Sequence, residues 1–370
     1  MRRNYRVLVI NPGSTSTKVA VFDGDDKIFQ KNISHDGDQL NQFKEIQDQL
    51  SHRVDIIEAA LREGGIDFSE IDLYSGRGGG QMPLEGGVYE VNDRLLADAA
   101  RRTRGSAGHP AMLGSQICAA YAKKYGKKAY VANSPDTDEF QDLARITGFK
   151  DLHRKSHVHA LNHKEISLRY CKREGLVYDQ VNLIVCHIGG GISVVAHRRG
   201  KMVDSNDIIG GDGPMTPSRS GSLPVMDLIK LMTDNGLSTK EITDRVNKTS
   251  GLLEHLGTNS TIEVERRIEQ GDRYAKLVYD AMLYQIAKCA GASAAVLMGE
   301  VKAILLTGGI SNSKYVVETL TSYLQWIAPV AAMPGEFEME ALASAAIRVA
   351  RGEERTKAYT GEPVWSGFHF

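Results

Sequence analysis

The sequence has few of the features that mark secreted, membrane-spanning or nucleic-acid-binding proteins. It contains four cysteines in 370 residues, and they form no Cys-x-x-Cys pair. Scattered cysteines of this kind are typical of buried free thiols in a reducing compartment. No apolar run reaches the roughly 18 residues that a membrane helix needs, and the first residues lack the apolar segment of a signal peptide. The formal net charge of -1 predicts no general attraction to nucleic acid or anionic membranes. We therefore expect a cytoplasmic protein.

Length and composition predict a globular protein with more than one core. The 42% of hydrophobic and 25% of charged residues are those of an ordinary folded chain. A chain of 370 residues is too long for one ordinary core, so two domains are expected. The 37 glycines cluster in short loops, and these loops carry most of the functional signals.

The first such loop is the stretch 11–18, Asn-Pro-Gly-Ser-Thr-Ser-Thr-Lys, which lies between apolar runs at 7–10 and 19–22. Two β-rich runs around a glycine-containing turn predict a β-hairpin. The hydroxyl, amide and ammonium groups at its tip suit a phosphate. The stretch is not a Walker A loop, because no Gly-Lys pair follows and the next element is a strand. On residue types alone, a plain polar turn stays an open alternative.

Two arginines stand alone in glycine-rich loops. Arg77 follows a predicted strand at 71–74, and Arg219 is the only cation of the loop 210–222. Glycines let a ligand approach the backbone, and a guanidinium can bind an anion through two parallel hydrogen bonds. The alternative for Arg77 is a flexible loop with a solvated side chain.

Four histidines lie on or just before a helix predicted at 156–174, namely His153, His157, His159 and His163. Their i,i+4 spacing invites a metal-site interpretation. A zinc site on one helix would also need a carboxylate or cysteine on the same face. We therefore favour helix-surface positions for some of them and a position in a cleft for one.

The second half of the chain repeats the pattern of the first. A strand at 181–186, a His-Ile-Gly-Gly-Gly turn at 187–191 and a strand at 192–196 mirror the first hairpin. A strand at 303–307 then runs into Gly-Gly-Ile, as the strand before Arg77 runs into its glycine loop. This weak duplication predicts two related α/β domains whose glycine-rich turns face one nucleotide cleft.

Taken in order, four motifs resemble the acetate and butyrate kinase family of the sugar kinase, Hsp70 and actin-like ATPase superfamily. They are Asn-Pro-Gly-Ser-Thr-Ser-Thr-Lys, His-Ile-Gly-Gly-Gly-Ile-Ser, Pro-Ser-Arg-Ser-Gly and Thr-Gly-Gly-Ile. The resemblance covers essentially the whole chain, and the first two motifs are closer to the butyrate kinase branch. It implies two duplicated actin-like ATPase (ribonuclease H-like) domains facing a nucleotide cleft. The first would comprise residues 1–154 with 341–370, and the second, nucleotide-binding domain residues 155–340.

The resemblance implies that ATP and Mg²⁺ convert a short carboxylate, butyrate or a branched analogue, to its acyl phosphate in a reversible in-line transfer. A carboxylate is already ionised at neutral pH, so the reaction needs no general base. Catalysis then rests on positioning and on cations that stabilise the transferring phosphoryl group. The resemblance also implies a homodimer or higher homo-oligomer. The net charge of -1 predicts no nucleic-acid or membrane partner.

The resemblance assigns a role to each motif residue. Arg77 and Arg219 would hold the carboxylate and the phosphoryl group, and His159 would donate a hydrogen bond to the same group. The phosphate-binding set would be Asn11, Ser14, Ser16, Lys18, His187, Gly189, Gly190 and Gly191. Gly308, Gly309 and Ile310 would border the adenosine. Asn11 and Glu340 would lie at the Mg²⁺ end, although Glu340 can also be read as a carboxylate that favours a helix N-terminus.

Two departures from the family pattern carry expectations of their own. Ser134 stands where the family usually has an aspartate, so we expect slow turnover unless Asp136 substitutes; an unchanged kcat in Ser134→Asp would contradict this. Glycines 78 and 79 replace two valines of acetate kinases, and Val158 replaces their phenylalanine. The smaller side chains Gly79 and Val158 predict a wider acyl pocket. Each extra CH₂ of the acceptor that it buries is worth about 0.8 kcal/mol, which favours acids longer than acetate.

The competing interpretations are an acetate or propionate kinase, and a non-kinase ATPase of the chaperone or filament type.

Overall fold

Two separate β-sheets organise the chain, one in each of two α/β units. The computed structural model describes residues 4–103 and 108–368. Unit 1 comprises Met1–Asp138 and Phe337–Phe370, and unit 2 comprises Glu139–Glu336. The strands are β1 (Arg6–Pro12), β2 (Ser16–Asp23), β3 (Asp26–Ser34), β4 (Leu73–Gly76), β5 (Val88–Glu90), β6 (Lys128–Ala132), β7 (Asn182–Ile188), β8 (Ile192–Arg198), β9 (Lys201–Ser205), β10 (Ala303–Thr307) and β11 (Val330–Ala332).

Helices cover the faces of both sheets. They are α1 (Gly37–Leu40), α2 (Leu50–Glu63), α3 (Asp93–Thr103), α4 (Leu113–Tyr125), α5 (Asp142–Arg145), α6 (Ala160–Glu174), α7 (Val225–Asn235), α8 (Thr239–Asp244), α9 (Leu252–Leu256), α10 (Thr261–Glu269), α11 (Arg273–Val296), α12 (Lys314–Leu324) and α13 (Glu338–Ala350). Within residues 4–103 and 108–368, no helix combines the length and the apolar content that crossing a membrane requires.

Five strands of each sheet follow the same order, and unit 1 adds the antiparallel edge strand β5, so the predicted duplication is confirmed. Unit 1 has the order β3-β2-β1-β4-β6-β5, and unit 2 has the order β11-β10-β7-β8-β9. In each, three antiparallel strands joined by hairpins are followed by parallel strands. The central strands β1 and β7 are almost wholly buried, as expected for continuous apolar runs covered on both faces.

Both predicted glycine hairpins form. In unit 1 the β1–β2 register pairs Asn11 with Lys18 and Pro12 with Thr17, so the turn lies at residues 13–16. In unit 2 the β7–β8 register pairs Ile188 with Ile192 around the three glycines. The apolar runs that flank each turn therefore set the hairpins, as the sequence pattern predicted.

Two segments differ from the sequence-based expectation. The sequence of residues 23–49 predicts a polar segment with a helical stretch near its end, yet β3 forms there and pairs with β2. Most of β3 is exposed, so it lacks the apolar alternation that marks a half-buried strand. The sequence of residues 138–147 predicts a helix, but only the four residues of α5 are helical there.

The segment 139–154 packs as part of unit 2, whereas the prediction ended the first domain at 154. Glu139 accepts hydrogen bonds from Lys164 Nζ (2.6 Å) and from the Met202 amide (2.7 Å). The Gln141 amide donates to Val203 O at 3.1 Å. The other boundary lies four residues before the predicted 341, because all of α13 packs on the unit 1 strands β1, β4 and β6.

A buried arginine links the first hairpin to α2. Arg53 is fully buried and donates to Gln49 Oε1 and Thr17 Oγ1, while His35 Nε2 lies 3.1 Å from its Nη1. Burial lowers the pKa of Arg53 to about 10. Burial, with the nearby Arg53 and His52, also lowers the pKa of His35 to about 4. His35 therefore stays neutral in the folded protein at pH values where it is protonated in an unfolded chain.

His35→Gln is expected to flatten the acid dependence of stability. The unfolded state binds a proton at this residue below pH 6.5 and the folded state only below about 4. The free energy of unfolding of the wild type therefore falls as the pH drops through that window. Urea unfolding at several pH values should show a shallower fall in the variant, with a residual slope from the buried His163 and His197. Equal slopes in the two proteins would contradict the assignment.

Candidate active site

Two glycines position Arg77 at the end of β4. A Cβ on Gly76 would lie 2.4 Å from the Gly114 carbonyl oxygen, and a Cβ on Gly114 would lie 2.4 Å from that of Arg77. Only residues without side chains permit this approach of α4 to the strand end. The Arg77 amide also donates to Ile10 O at 2.9 Å, which anchors the loop to β1.

Within unit 1, Glu338 joins Arg77 to Asn11. Arg77 Nη1 donates to Glu338 Oε1, and Asn11 Nδ2 donates to Glu338 Oε2 at 2.7 Å. Burial alone raises the pKa of Glu338, but Arg77, Asn11 and Lys18 outweigh it and lower the pKa below its usual value. Glu338 is thus a carboxylate at neutral pH, in the first turn of α13.

The acidic residue beside Asn11 and Arg77 is therefore Glu338 and not the predicted Glu340. Glu340 Oε1 instead accepts from Lys27 Nζ at 3.1 Å. Residues two apart on a helix do not share a face, so the two carboxylates point to different neighbours. We move the role assigned from the resemblance to Glu338, and it remains a proposal.

The tip of the first hairpin is a tight turn. The Gly13 amide donates to Ser16 O at 2.7 Å. Ser14 is exposed and Ser16 half-buried, while Lys18 is exposed yet close enough to lower the Glu338 pKa. The phosphate-binding role of these three side chains stays a prediction.

His187 presents a ring N–H towards the glycine turn of unit 2. Its Nδ1 lies 2.8 Å from the Asn162 amide nitrogen, which is a donor. A neutral imidazole that accepts at Nδ1 carries its proton on Nε2. That Nε2 lies 3.3 Å from the position of a Cβ on Gly189. The turn itself closes through a hydrogen bond from Gly189 N to Gly191 O of 3.1 Å.

His159 and Arg219 converge beside Gly191 in unit 2. A Cβ on Gly191 would lie 2.8 Å from Arg219 Nη1 and 3.4 Å from His159 Nε2. The His159 ring stacks on His187 at 3.9 Å between centroids. Burial lowers the pKa of Arg219, but a guanidinium keeps its charge at neutral pH. A cation and ring donors beside a glycine turn form a site suited to phosphate oxygens.

The loop of Arg219 is fixed by a second close approach. Thr216 Oγ1 accepts from the Arg219 amide at 3.0 Å. Gly251 has φ of +66°, and a Cβ there would lie 1.8 Å from Thr216 O. Glycine is required at this position both for its backbone conformation and for its lack of a side chain.

A cavity of about 330 Å³ opens beside the same turn within unit 2. Its size falls in the range of small-molecule sites, roughly 300–1,000 Å³. Its wall consists of Gly190, Pro217, Ser218, Asn259, Ser260, Thr261, Ile262 and Ile310. Gly190 and Ile310 were predicted site residues, whereas the segment 259–262 was not. The Ser-x-x-Glu pattern at 260–263 marks the start of α10 and could have drawn attention to this segment.

The neighbours of the predicted pocket residues change the acyl-pocket argument. A Cβ on Gly78 would lie 2.4 Å from Val131 Cγ1 and 2.6 Å from Ser134 Cβ, so the missing side chain leaves no space there. Gly79 faces Met112, whose Cγ would lie 3.2 Å from its Cβ. Val158 is buried with Ala160, Val195 and Met202 in a small core cluster.

Ser134 and Asp136 serve local structure. Ser134 is buried, and its Oγ accepts from the Asp136 amide at 3.3 Å. Asp136 Oδ2 accepts from the Gln81 amide at 3.1 Å. Because Ser134 is buried, the carboxylate of Ser134→Asp would lose hydration, and we expect this substitution to cost stability.

The metal interpretation of the histidine-rich segment finds no support. His157 Nδ1 lies 2.8 Å from Asp207 Oδ2, and His159 and His163 both contact Ser193. Among residues 4–103 and 108–368, no three His, Cys, Asp or Glu side chains are grouped so as to hold a metal ion. Of the cysteines, three are buried and Cys289 is half-buried, and all four are free.

Comparison with known proteins identifies the family of this chain. Residues 146–330 match the model of the acetokinase family. The probable butyrate kinase of Clostridium botulinum (strain Alaska E43 / Type E3) is 41% identical over 356 residues, which cover 96% of this chain and 100% of the relative. The chain belongs to the acetokinase family. Butyrate kinase 2 of Clostridium acetobutylicum is a further family member, 39% identical over 96% of this chain and 99% of its own length.

Solved structures confirm the expected fold. Acetate kinase of Porphyromonas gingivalis has a TM-score of 0.76 at 22% identity and covers 94% of this chain and 100% of its own. A propionate kinase of Francisella tularensis has a TM-score of 0.72 at 18% identity, covering 92% and 98%. The acetokinase fold of this chain is thus the actin-like ATPase fold predicted from its motifs.

Proposed function

We propose that this acetokinase family member transfers the γ-phosphoryl group of ATP to a short-chain carboxylate, with butyrate or a branched analogue as acceptor. The products are ADP and the acyl phosphate. The observation that carries the proposal is the convergence of Arg219, His159 and His187 on the glycine turn 189–191. The relatives named butyrate kinase support the choice of acceptor.

In the proposed reaction, unit 2 binds the nucleotide. The cavity beside Gly190 and Ile310 would take the nucleoside, with the phosphates on the glycine turn. The backbone N–H groups and His187 Nε2–H would bind phosphate oxygens, and Arg219 would stabilise the charge spread over the transferring group. These groups act by position and charge alone, since the acceptor carboxylate is already ionised.

Unit 1 supplies a carboxylate and a guanidinium. Asn11 donates through its amide nitrogen to Glu338, which leaves the amide oxygen for a hard cation. The Glu338 carboxylate and the Asn11 amide oxygen are hard oxygen donors of the kind that Mg²⁺ takes, so these two residues would hold the ion. The ion, when bound, would supply charge neutralisation for phosphate oxygens. Arg77 would hold the acceptor carboxylate.

A hydroxamate assay with ATP, Mg²⁺ and a series of two- to six-carbon acids tests the proposal. We expect acyl hydroxamate with butyrate or a branched acid at a higher kcat/KM than with acetate. Preference for acetate or propionate would identify the competing carboxylate kinase. ATP hydrolysis without hydroxamate from any acid would reject the proposal.

Met112→Ala is expected to shift acceptor preference towards longer acids. Met112 is half-buried and contacts Gly79 in the loop that carries Arg77, so it lies where an acyl chain would extend from the guanidinium. Truncation enlarges that space by several atoms, and each extra CH₂ accommodated is worth about 0.8 kcal/mol. The ratio of kcat/KM for hexanoate to that for butyrate should rise severalfold. An unchanged ratio would remove Met112 from the acyl site.

We also propose that a second copy of this chain covers α7, consistent with the expected homo-oligomer. Val225, Leu228, Ile229 and Met232 share one face of α7, and no residue of this helix is buried. Val225 and Ile229 of this face are 66% and 50% exposed. Isolated short helices are marginal in water, so an uncovered apolar face marks an interaction surface.

Val225→Asp/Ile229→Asp is expected to reduce the oligomer to a monomer. Two carboxylates in a buried apolar contact would each lose hydration without a partner. Light scattering coupled to size exclusion gives the mass directly. Val177→Asp, an equally exposed apolar position of unit 2 outside α7, is the control and should keep the wild-type mass. A monomeric wild type, or an unchanged oligomer in the double variant, would contradict the proposal.

A further inference from the structure

Ser193 lies between two histidines of unit 2. Its Oγ is 2.8 Å from His159 Nδ1 and 2.7 Å from His163 Nε2. In the sheet, Ser193 pairs directly with His187, so its side chain lies on the face that α6 covers. His159 and His163 are four residues apart at the start of α6, and both rings therefore reach the same hydroxyl.

His163 is neutral and has one ring nitrogen without a partner. The residue is fully buried, and its Nδ1 makes no hydrogen bond to any residue within 4–103 and 108–368. Burial, together with the facing rings of His197, His187 and His159 and the ammonium of Lys164, holds the pKa of His163 well below 6.5. The ring therefore carries a single proton, on either Nε2 or Nδ1.

Through its hydroxyl, Ser193 couples the tautomer of His163 to the tautomer of His159. A serine hydroxyl donates one hydrogen bond and accepts others. If His163 donates from Nε2 to Ser193, the hydroxyl proton is free to go to His159 Nδ1, and His159 then carries its own proton on Nε2. If Ser193 donates to His163 instead, His159 Nδ1 can bond only by donating, and its Nε2 is bare.

Burial favours the first arrangement. In the second, the proton of His163 lies on Nδ1, which would be a buried N–H without an acceptor. Orphaned buried N–H groups are rarer in proteins than orphaned acceptors. In the first, the atom without a partner is a bare nitrogen, and the two hydrogen bonds to Ser193 are both made.

We propose that His163 and Ser193 are positioning residues that hold the ring proton of His159 on Nε2. That nitrogen lies, with Cε1, on the edge of the His159 ring that faces Gly191. With the proton there, His159 donates to an anionic oxygen at the glycine turn; without it, a lone pair faces the anion. The catalytic consequence rests on the proposed phosphoryl transfer, whereas the proton position does not.

Nitrogen-15 NMR of histidine-labelled protein tests the proton position directly. Protonated and bare nitrogens of a neutral imidazole have well-separated shifts, and His159→Gln identifies the signals of His159. We expect Nε2–H in the free wild type. Ser193→Ala and His163→Leu should show a mixture of tautomers, or Nδ1–H, whereas Ser193→Thr and His163→Gln, which keep the hydroxyl and a donor, should resemble the wild type.

The same variants separate positioning from general damage. In Ser193→Ala we expect kcat for acyl phosphate formation to fall about 10- to 100-fold, the usual effect of removing a group that orients a functional histidine. KM for ATP should change little, and Ser193→Thr should recover most of the activity. Circular dichroism checks the fold of each variant, and the wild-type spectrum is informative even if Ser193→Ala fails to fold.

Two results would overturn the inference. One is Nδ1–H on His159 in the wild type. The other is an unchanged Nε2–H population in folded Ser193→Ala and His163→Leu. Because the tautomer is measured without substrate, a protein with the expected tautomer that makes no acyl phosphate would contradict only the proposed function.

Discussion

Replacing Arg219 with alanine is expected to lower kcat by about 10³- to 10⁵-fold, the contribution of an arginine that stabilises a transferring phosphoryl group. Its guanidinium lies beside Gly191, next to His159 and the turn that would hold the phosphates. The negative charge that develops on the equatorial oxygens of the transferring phosphoryl group would lose its stabilising cation. Bound ATP in the ground state would lose less stabilisation. We therefore expect KM for ATP to change far less than kcat.

Two further substitutions make the Arg219 result interpretable. Arg219→Lys keeps the charge but not the planar fork, so its kcat should lie between those of the wild type and Arg219→Ala. Arg245→Ala removes an exposed arginine of the same unit that pairs with Glu254, and its kcat should equal that of the wild type. A loss of less than tenfold in Arg219→Ala would exclude a role in phosphoryl transfer.

Glu338→Gln is expected to lower kcat by about 10²- to 10³-fold, a loss typical of removing one preorganised electrostatic contact. The substitution keeps the shape of the side chain and removes the charge that faces Asn11 and Arg77. Two effects are expected together. The Mg²⁺ concentration for half-maximal rate should rise, and the melting temperature should fall because the partly buried Arg77 loses its counter-charge.

Glu340→Gln is the matched control for Glu338. It lies two residues further along α13, carries the same charge and pairs with Lys27 outside the Asn11–Arg77 group. Its kcat and its Mg²⁺ dependence should match those of the wild type. The opposite ranking, with Glu340→Gln the more damaging change, would restore the assignment made from the resemblance. Partial rescue of Glu338→Gln by excess Mg²⁺ would separate the metal role from the positioning of Arg77.

The choice between Glu340 and Glu338 shows what the sequence could specify at this site. The sequence shows an acidic first turn and predicts a last helix over residues 339–350, whereas the structure begins this helix at Glu338. On a helix of 3.6 residues per turn, a shift of two positions turns a side chain by about 200°. Which carboxylate meets Arg77 is therefore decided by how α13 packs on the sheet.

Local patterns were sufficient where one segment determines its own structure. Both hairpins could be predicted from apolar runs around glycine turns. The position of Arg77 at a strand end could be predicted from the apolar run that precedes it. The edge strand β3 and the cavity wall at 259–262 were missed. Strand β3 is stabilised by pairing with β2. The segment 259–262 lies at the cavity because of tertiary packing, which no local pattern encodes.

The glycines after Arg77 illustrate a second limit. A small residue in the sequence suggests space, yet the space at Gly78 is filled by Val131 and Ser134. Small residues often mark close packing, and only the neighbours distinguish this from an open pocket. Acceptor size is thus better tested at Met112 than at the glycines.

The most direct test of the central claim follows the oxygen of the acceptor. Butyrate labelled with ¹⁸O in both carboxylate positions is incubated with the protein, ATP and Mg²⁺, and the products are read by ³¹P NMR. If the carboxylate attacks the γ-phosphorus, the acyl phosphate resonance will appear with the isotope shift of one ¹⁸O in the bridging position. Release of unlabelled phosphate alone, with no acyl phosphate from butyrate or any other short acid, would contradict the assignment of this chain as a carboxylate kinase.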